Sequence, residues 1–134
     1  MHRKMYIGTL SVLLAFPASS ALAAQLVEAS VCEITAQPAN FEDVDVSVRG
    51  RIYAGMEITN ISDASCPGAG IQLSMTEAVS RHKDITAFER GIRQHGMHAT
   101  ATVVGRFHAK APVYPFPMPA IDVHAIQNVV FDAK

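Results

Sequence analysis

Residues 44–58 constrain the fold of this chain more than any other stretch, because apolar or small residues alternate there with polar ones. A period of two is typical of a β-strand that buries one face. A straight strand of this length would span about 50 Å, more than the diameter of a domain of about 110 residues. We therefore predict that the strand bends at Gly50, which lacks a Cβ, and serves both halves of a small closed barrel. The inward positions are Val44, Val46, Val48, Gly50, Ile52, Ala54, Met56 and Ile58.

A second interpretation of residues 44–58 stays open. A hairpin turn at Arg49-Gly50 or at Ala54-Gly55 would divide the run into two short strands. Residues 59–65, which follow, are rich in Thr, Asn, Ser and Asp and are predicted to form a turn.

Three later segments also have strand patterns. Residues 71–75 form a short apolar run, and residues 120–131 carry spaced core candidates. Residues 98–109 alternate as regularly as residues 44–58 and are predicted to be a central strand. Four prolines make residues 110–119 an extended loop. The inward side of the central strand is predicted to hold Ala99, Ala101, Val103, Gly105 and Phe107.

Helical spacing appears in residues 76–96, where apolar residues are separated by charged ones. Asp84 is a candidate N-cap and Gly96 a candidate stop. Residues 26–36 are predicted to be a short helix or an irregular lead-in, because Pro38 prevents continuation. Together these segments predict a mainly β domain with one or two short helices.

The first 24 residues have the pattern of a secretory signal peptide. Two basic residues precede an apolar core, residues 7–16, and a segment of small residues, 17–24. The core is shorter than the roughly 20 apolar residues that a membrane-spanning helix requires, and no later segment reaches that length. We expect an exported protein that does not span a membrane, with a single mature domain at residues 25–134. The periplasm is the expected location and the extracellular medium the alternative.

The charge of the mature domain argues against nucleic acid as a partner. Removal of Arg3 and Lys4 leaves nine basic residues against twelve acidic ones. Proteins that bind nucleic acid usually carry a net basic domain or a dense basic stripe. We therefore expect no nucleic-acid partner.

Cys32 and Cys66 are the two cysteines of the chain. An exported protein meets an oxidising compartment, so a disulfide between them is expected. Such a crosslink would limit the unfolded ensemble by about 3 to 4 kcal/mol in the chain-entropy model. Two free thiols or a redox pair are the alternatives, although neither cysteine has the C-x-x-C spacing of a catalytic dithiol.

Four motifs occur in a characteristic order along the mature domain. They are Val31-Cys32-Glu33, the alternating residues 44–51, Cys66-Pro67 and Val104-Gly105-Arg106-Phe107. In this order they resemble a group of small exported bacterial proteins with an OB-like barrel. The likeness extends over about residues 31–131 and implies a five-stranded barrel. The group has no established catalytic residues, so the resemblance implies a fold and no reaction. The proline-rich loop departs from the Gly- and His-rich connection expected there.

The residues themselves give little indication of catalysis. No nucleophile elbow, Walker, zinc-protease or Gly-rich phosphate motif is present. We therefore predict no enzyme activity, no cofactor and no metal. The alternative is a metal-dependent enzyme that would use the imidazoles of His95, His98, His108 and His124.

The expected function is binding of a protein, a peptide or a small envelope ligand by a non-enzymatic module. An OB-type binder of oligonucleotides or oligosaccharides is the alternative. Guanidinium groups favour carboxylates or phosphates, so an anionic peptide or envelope component is the predicted partner. Ordinary solvated residues would explain the same pattern. The predicted ligand-binding residues, on an outer strand face beside the proline-rich loop, are Arg49, Arg51, Tyr53, Arg106 and His108.

Overall fold

The computed structural model describes residues 12, 13, 15, 25–112 and 117–133. Most of the predicted signal peptide and the middle of the proline-rich loop, residues 113–116, lie outside the described residues. Among the residues that are described, no helix is long and apolar enough to cross a membrane.

Six strands and three α-helices make up the described chain, together with a short 3₁₀ helix at Pro38–Phe41. The strands are β1 (Val27–Glu28), β2 (Asp45–Ala54), β3 (Thr59–Ser62), β4 (Gly70–Ser74), β5 (His98–Ala111) and β6 (Met118–Phe131). The helices are α1 (Val31–Ala36), α2 (Glu77–Ser80) and α3 (Lys83–Gln94).

Five of the strands close into a ring in the order β2, β3, β4, β6, β5 and back to β2. Strands β4 and β6 are parallel, and the other pairs of the ring are antiparallel. The predicted five-stranded OB-like barrel is therefore confirmed. The two-residue β1 adds a sixth strand, parallel to β2, in a segment for which a helix or irregular lead-in was expected.

Strand β2 passes through Gly50 without interruption, as predicted, and pairs with β5 from Asp45 to Tyr53. A Cβ at Gly50 would lie 2.7 Å from the backbone oxygen of Ser62, so β3 approaches this position too closely for a side chain. The prediction was wrong about the strand's end. Strand β2 stops at Ala54, as the Ala54-Gly55 alternative proposed.

The segment predicted to be a turn, residues 59–65, instead begins with strand β3. Ile61 is the one fully buried residue of β3, and the other residues of the strand are polar. For this reason the sequence of β3 resembles that of a turn. Backbone pairing with β2 on one side and β4 on the other makes it a strand. Tertiary pairing has overridden local residue preference.

The barrel interior is apolar and its central residues were predicted correctly. Strand β2 contributes Val46, Val48 and Ile52, each fully buried. All five residues of strand β5 that were expected to face inward are buried. They are Ala99, Ala101, Val103, Gly105 and Phe107.

Helix α3 lies within the segment predicted to be helical, packs against β6 and buries Ile85, Phe88 and Ile92. Its N-cap is His82, so the assignment of that role to Asp84 was wrong. The Asp84 carboxylate instead accepts a hydrogen bond from the backbone N–H of Ile126 at 3.0 Å. This contact ties the helix to the backbone of β6.

The disulfide between Cys32 and Cys66 is present, which confirms the predicted pairing. It joins α1 to the loop between β3 and β4. Helix α1 starts with a capping box, in which Ser30 and Glu33 exchange side-chain and backbone hydrogen bonds. Val31 is fully buried in the core, so the helix is held by packing as well as by the covalent bond.

Candidate ligand-binding face

The five predicted site residues lie on the outward side of strands β2 and β5, which are direct neighbours. Strand β6 continues this surface on the far side of β5. We call the outward side of these three strands the outer face. Cross-strand register places Tyr53 beside His98, Arg51 beside Thr100, Arg49 beside Thr102 and Asp45 beside Arg106.

The predicted residues do not converge on one point. Tyr53 and Asp45 are eight residues apart on β2, which corresponds to about 26 Å of extended strand. Arg106 and His108 lie at the Asp45 end, and Arg51 lies at the Tyr53 end. A small ligand could not contact all five, so the two ends of the outer face are separate candidates.

We call the first candidate the carboxylate end. Its central side chain is His108, whose Nε2 lies 3.0 Å from Asp122 Oδ2. The other ring nitrogen, Nδ1, lies 3.3 Å from Asp43 Oδ1 and 3.5 Å from Glu42 Oε1. The end is defined by Glu42, Asp43, Asp45, Arg106, His108 and Asp122.

The guanidinium of Arg106 is already engaged at this end. Its Nε and Nη2 donate to the two carboxylate oxygens of Asp45 at 3.2 and 3.3 Å. The hydrogen bond from Arg106, reinforced by its charge, lowers the pKa of the Asp45 carboxyl below its usual range. The same hydrogen bond and the Asp45 charge raise the pKa of Arg106. Four carboxylates thus face one guanidinium and one imidazole, which disfavours an anionic ligand here.

We call the second candidate the tyrosine end, defined by Arg51, Tyr53, Met56 and Val130. Tyr53 is 45% exposed, and its ring lies 5.0 Å from that of His98. Val130 is 60% exposed and pairs with Thr100, which also pairs with Arg51. Arg51 forms an ion pair with Asp132.

The loop between β2 and β3, residues 55–58, adjoins the tyrosine end. Gly55 lies against the Tyr53 ring, since a Cβ there would be 3.0 Å from Tyr53 Cε1. Met56 is fully exposed, and Ile58 is partly exposed. Both were predicted to face the barrel interior, but the strand has already ended at Ala54.

Sequence reasoning also missed Val130, because residues 120–131 were analysed only for core positions. Register shifts between β5 and β6 interrupt the regular pairing before Thr100 meets Val130. A β-bulge changes which side chains of a strand face outwards. Its position is not visible in the residue pattern.

Arg49 lies between the two ends. Its Nη1 donates to Thr102 Oγ1 at 3.1 Å and to the backbone oxygen of Asn128 at 3.2 Å. The side chain borders an open groove of about 370 Å³ that Glu28 and Glu33 also line. This groove holds both charge signs and encloses no cavity.

The four-histidine metal site considered from the sequence is not assembled. His95 stacks on Phe131, with ring centroids 5.0 Å apart, and its Nδ1 lies 3.1 Å from the Asp132 backbone oxygen. Over residues 25–112 and 117–133, the one group of three metal-ligating side chains is Glu42, Asp43 and His108. Of the four histidines, only His108 belongs to it.

No protein-family model and no curated protein matches this chain. Among solved structures, the OBody AM2EP06 bound to hen egg-white lysozyme is similar, with a TM-score of 0.54 and 16% identity over 78% of this chain and 94% of that one. The OBody AM3L09, also bound to hen egg-white lysozyme, gives a TM-score of 0.52 and 17% identity over 78% and 95%.

A third similar structure is a putative aspartyl-tRNA synthetase from Leishmania major Friedlin, with a TM-score of 0.52 and 14% identity. The match covers 90% of this chain but 24% of the synthetase. At such identities the likeness concerns the fold and not the function. The comparisons therefore agree with the strand order in giving this chain an OB-like barrel fold.

Proposed function

We propose that this chain is an exported, non-enzymatic OB-like module that binds a protein or peptide through the tyrosine end of its outer face. The observation that carries this proposal is the exposure of Tyr53, Met56 and Val130 on, or in the loop next to, the same end of the outer face as Arg51. Tyrosine, methionine and arginine are enriched at protein interfaces, and tyrosine and arginine dominate their hot spots.

Charge favours the tyrosine end over the carboxylate end for an acidic peptide. Arg51 is 55% exposed and has one carboxylate partner, Asp132, in the described chain. An exposed ion pair of this kind is weak, so Arg51 can exchange Asp132 for a partner's carboxylate at little cost. Arg106, in contrast, already donates from Nε and Nη2 to both carboxylate oxygens of Asp45.

The shape of the surface favours a macromolecular partner over a small envelope ligand. Small-molecule sites are usually concave and bury most of the ligand's surface. The outer face is the outside of a barrel, and its groove beside Arg49 is open to solvent. Two proteins of similar fold are bound to lysozyme, which supports protein binding by a barrel of this kind.

Export is supported by the signal-like pattern of the first 24 residues and by the disulfide between Cys32 and Cys66. Disulfides persist mainly in oxidising compartments. Cleavage after Ala23 or Ala24 is expected. An intact mass of the exported protein that still includes Met1 would contradict it.

The binding proposal is tested by placing a photoreactive amino acid at position 53 in the mature protein, within the cell envelope of its own host. The matched control places it at Ala87, an exposed position of α3. We expect a partner to be crosslinked from position 53 and not from position 87. A nuclease-sensitive product would instead favour the oligonucleotide-binding alternative.

The purified partner then gives a quantitative test. Tyr53→Ala should weaken its affinity by about tenfold or more, as expected of a central aromatic contact. Arg106→Ala is the control and should leave affinity unchanged, because Arg106 lies at the other end. Equal affinity for the wild type and a folded Arg51→Ala/Tyr53→Ala variant would overturn the proposal.

A further inference from the structure

His108 has carboxylates at both of its ring nitrogens. Asp122 lies on the Nε2 side, and Asp43 and Glu42 lie on the Nδ1 side. A neutral imidazole carries one N–H and one lone pair. An imidazolium would donate to the carboxylates on both sides, whereas the neutral tautomer with its N–H toward Asp122 turns the Nδ1 lone pair to the same side as the Asp43 and Glu42 oxygens, where one cation could bind all three.

The spacing of the three facing atoms matches a coordination site. Ligands at about 2.0 to 2.1 Å from a tetrahedral Zn²⁺ lie about 3.3 Å from one another. His108 Nδ1 lies 3.3 Å from Asp43 Oδ1 and 3.5 Å from Glu42 Oε1. One ligand atom from each of the three side chains lies within 4.8 Å of the other two.

We propose that Glu42 Oε1, Asp43 Oδ1 and His108 Nδ1 bind a divalent transition-metal cation of the Zn²⁺ type. One imidazole and two carboxylates suit Zn²⁺ better than Mg²⁺ or Ca²⁺, which prefer all-oxygen sites. Three protein ligands leave a fourth position of a tetrahedral ion for water. The two carboxylates neutralise the charge of the ion.

Contacts outside the three ligand atoms hold the ligands in place. Asp122 accepts from the Nε2 side of His108, the carboxylate–histidine–metal arrangement that fixes the tautomer and the ring. The second oxygen of Glu42 accepts from the backbone N–H of Ala109 at 2.6 Å. The backbone N–H of Asp43 donates to the Phe107 oxygen at 3.0 Å.

Arg106 makes its hydrogen bonds to neither of the two carboxylate ligands. Its Nε and Nη2 donate to Asp45, and it acts on Asp43 and Asp122 through charge alone. The proposed ligand atoms are therefore not occupied by a guanidinium hydrogen bond. It lies at the opposite end of the outer face from Tyr53, and it does not depend on the proposed partner binding.

Binding would connect two parts of the chain. Glu42 and Asp43 lie between the 3₁₀ helix and β2, whereas His108 belongs to β5. An ion that binds only the folded state stabilises it by RT ln(1 + [ion]/Kd), so the melting temperature rises with the concentration of the ion. Zn²⁺ should thus stabilise this region.

The test uses the untagged mature protein after treatment with a chelator. Isothermal titration with Zn²⁺ should give one ion per chain and a higher melting temperature. Co²⁺ in place of Zn²⁺ should give the visible absorption of a tetrahedral site. Tighter binding of Mg²⁺ or Ca²⁺ than of Zn²⁺, or no heat with Zn²⁺, would overturn the proposal.

Substitutions then locate the ion. Asp43→Asn and His108→Gln should abolish this binding, and Asp122→Asn should weaken it by about 10- to 100-fold. His82→Gln removes an exposed histidine elsewhere and should change nothing. Asp43 is 71% exposed, so its variant will fold even if the His108 variant does not. Unchanged Zn²⁺ affinity in folded Asp43→Asn would assign the ion to another place and refute the site.

Discussion

The two ends of the outer face share three strands but present opposite chemistry. The carboxylate end gathers four acidic side chains around His108 and Arg106. The tyrosine end exposes Tyr53 and Val130 around a single ion pair. A closed barrel fixes the positions of its strands without dictating their outward residues. One face can therefore hold two unrelated sites, and each must be tested separately.

Both ends also depend on segments next to the strands. At the carboxylate end, Asp43 N–H donates to the Phe107 oxygen and Phe107 N–H donates to the Val44 oxygen, which extends the β2–β5 ladder. At the tyrosine end, Gly55 N–H donates to the Ile58 oxygen and closes a tight loop. The extended ladder thus holds carboxylates in place at one end, and the tight loop holds the exposed Met56 in place at the other.

The largest effect is expected from a charged residue in the core that both ends share, because unfolding of the barrel would abolish both sites. Phe107 and Val46 are fully buried. Phe107→Asp or Val46→Asp would place an unpaired carboxylate among apolar side chains, at a cost of more than about 4 kcal/mol. We expect loss of the cooperative thermal transition in circular dichroism. A folded Val46→Asp protein would show that the inward face has been assigned wrongly.

The next effect concerns the disulfide between Cys32 and Cys66, which are 34 residues apart. Its reduction should lower the free energy of unfolding by about 3 to 4 kcal/mol, because the unfolded chain gains freedom. The bridge joins α1 to the β3–β4 loop and touches neither end of the outer face. Denaturant titration with and without reductant measures the loss.

Reduced protein that is still folded should keep both binding activities, Zn²⁺ at one end and the partner at the other. An unchanged unfolding midpoint after complete reduction would contradict the stabilising role. Selective loss of one activity would show that the disulfide supports that end.

The inner layer of the barrel was predictable because one rule governs it. Successive side chains of a strand point to opposite faces, so the inward positions of β2 and β5 follow from alternation alone. Strand β3 was missed since Ile61 is its one fully buried residue. Asp84 was misassigned because its hydrogen bond to Ile126 joins residues far apart in sequence.

The outer face was only partly predictable for a related reason. Exposure of Arg51 and Arg106 followed from alternation, but their partners Asp132 and Asp45 depend on strand register. Asp43 was missed altogether, since its place beside His108 requires a backbone φ of 57° and a long-range hydrogen bond. Local residue patterns contain neither.

A smaller change should separate the two ends. The backbone of strand β6 lies so close to Gly105 that a Cβ added there would collide with the backbone oxygen of Asp122. Gly105→Ala should cost about 1 to 3 kcal/mol, since β6 must shift. That shift moves Asp122 relative to His108, so Zn²⁺ affinity should fall while partner binding at Tyr53 persists. Equal loss of both activities would show that the ends are coupled.

The smallest effect is expected from Arg49→Ala, between the two ends. Arg49 is exposed, and truncation leaves its acceptors, Thr102 Oγ1 and the Asn128 oxygen, free to bond with water. The free energy of unfolding should change by no more than about 0.5 kcal/mol, as for ordinary surface positions. Urea titration measures this change, and Val48→Asp, at the adjacent buried position, is measured beside it for contrast. If Arg49→Ala strongly lowered the free energy of unfolding and Val48→Asp did not, the register of β2 would be wrong and its inner and outer faces would have to be exchanged.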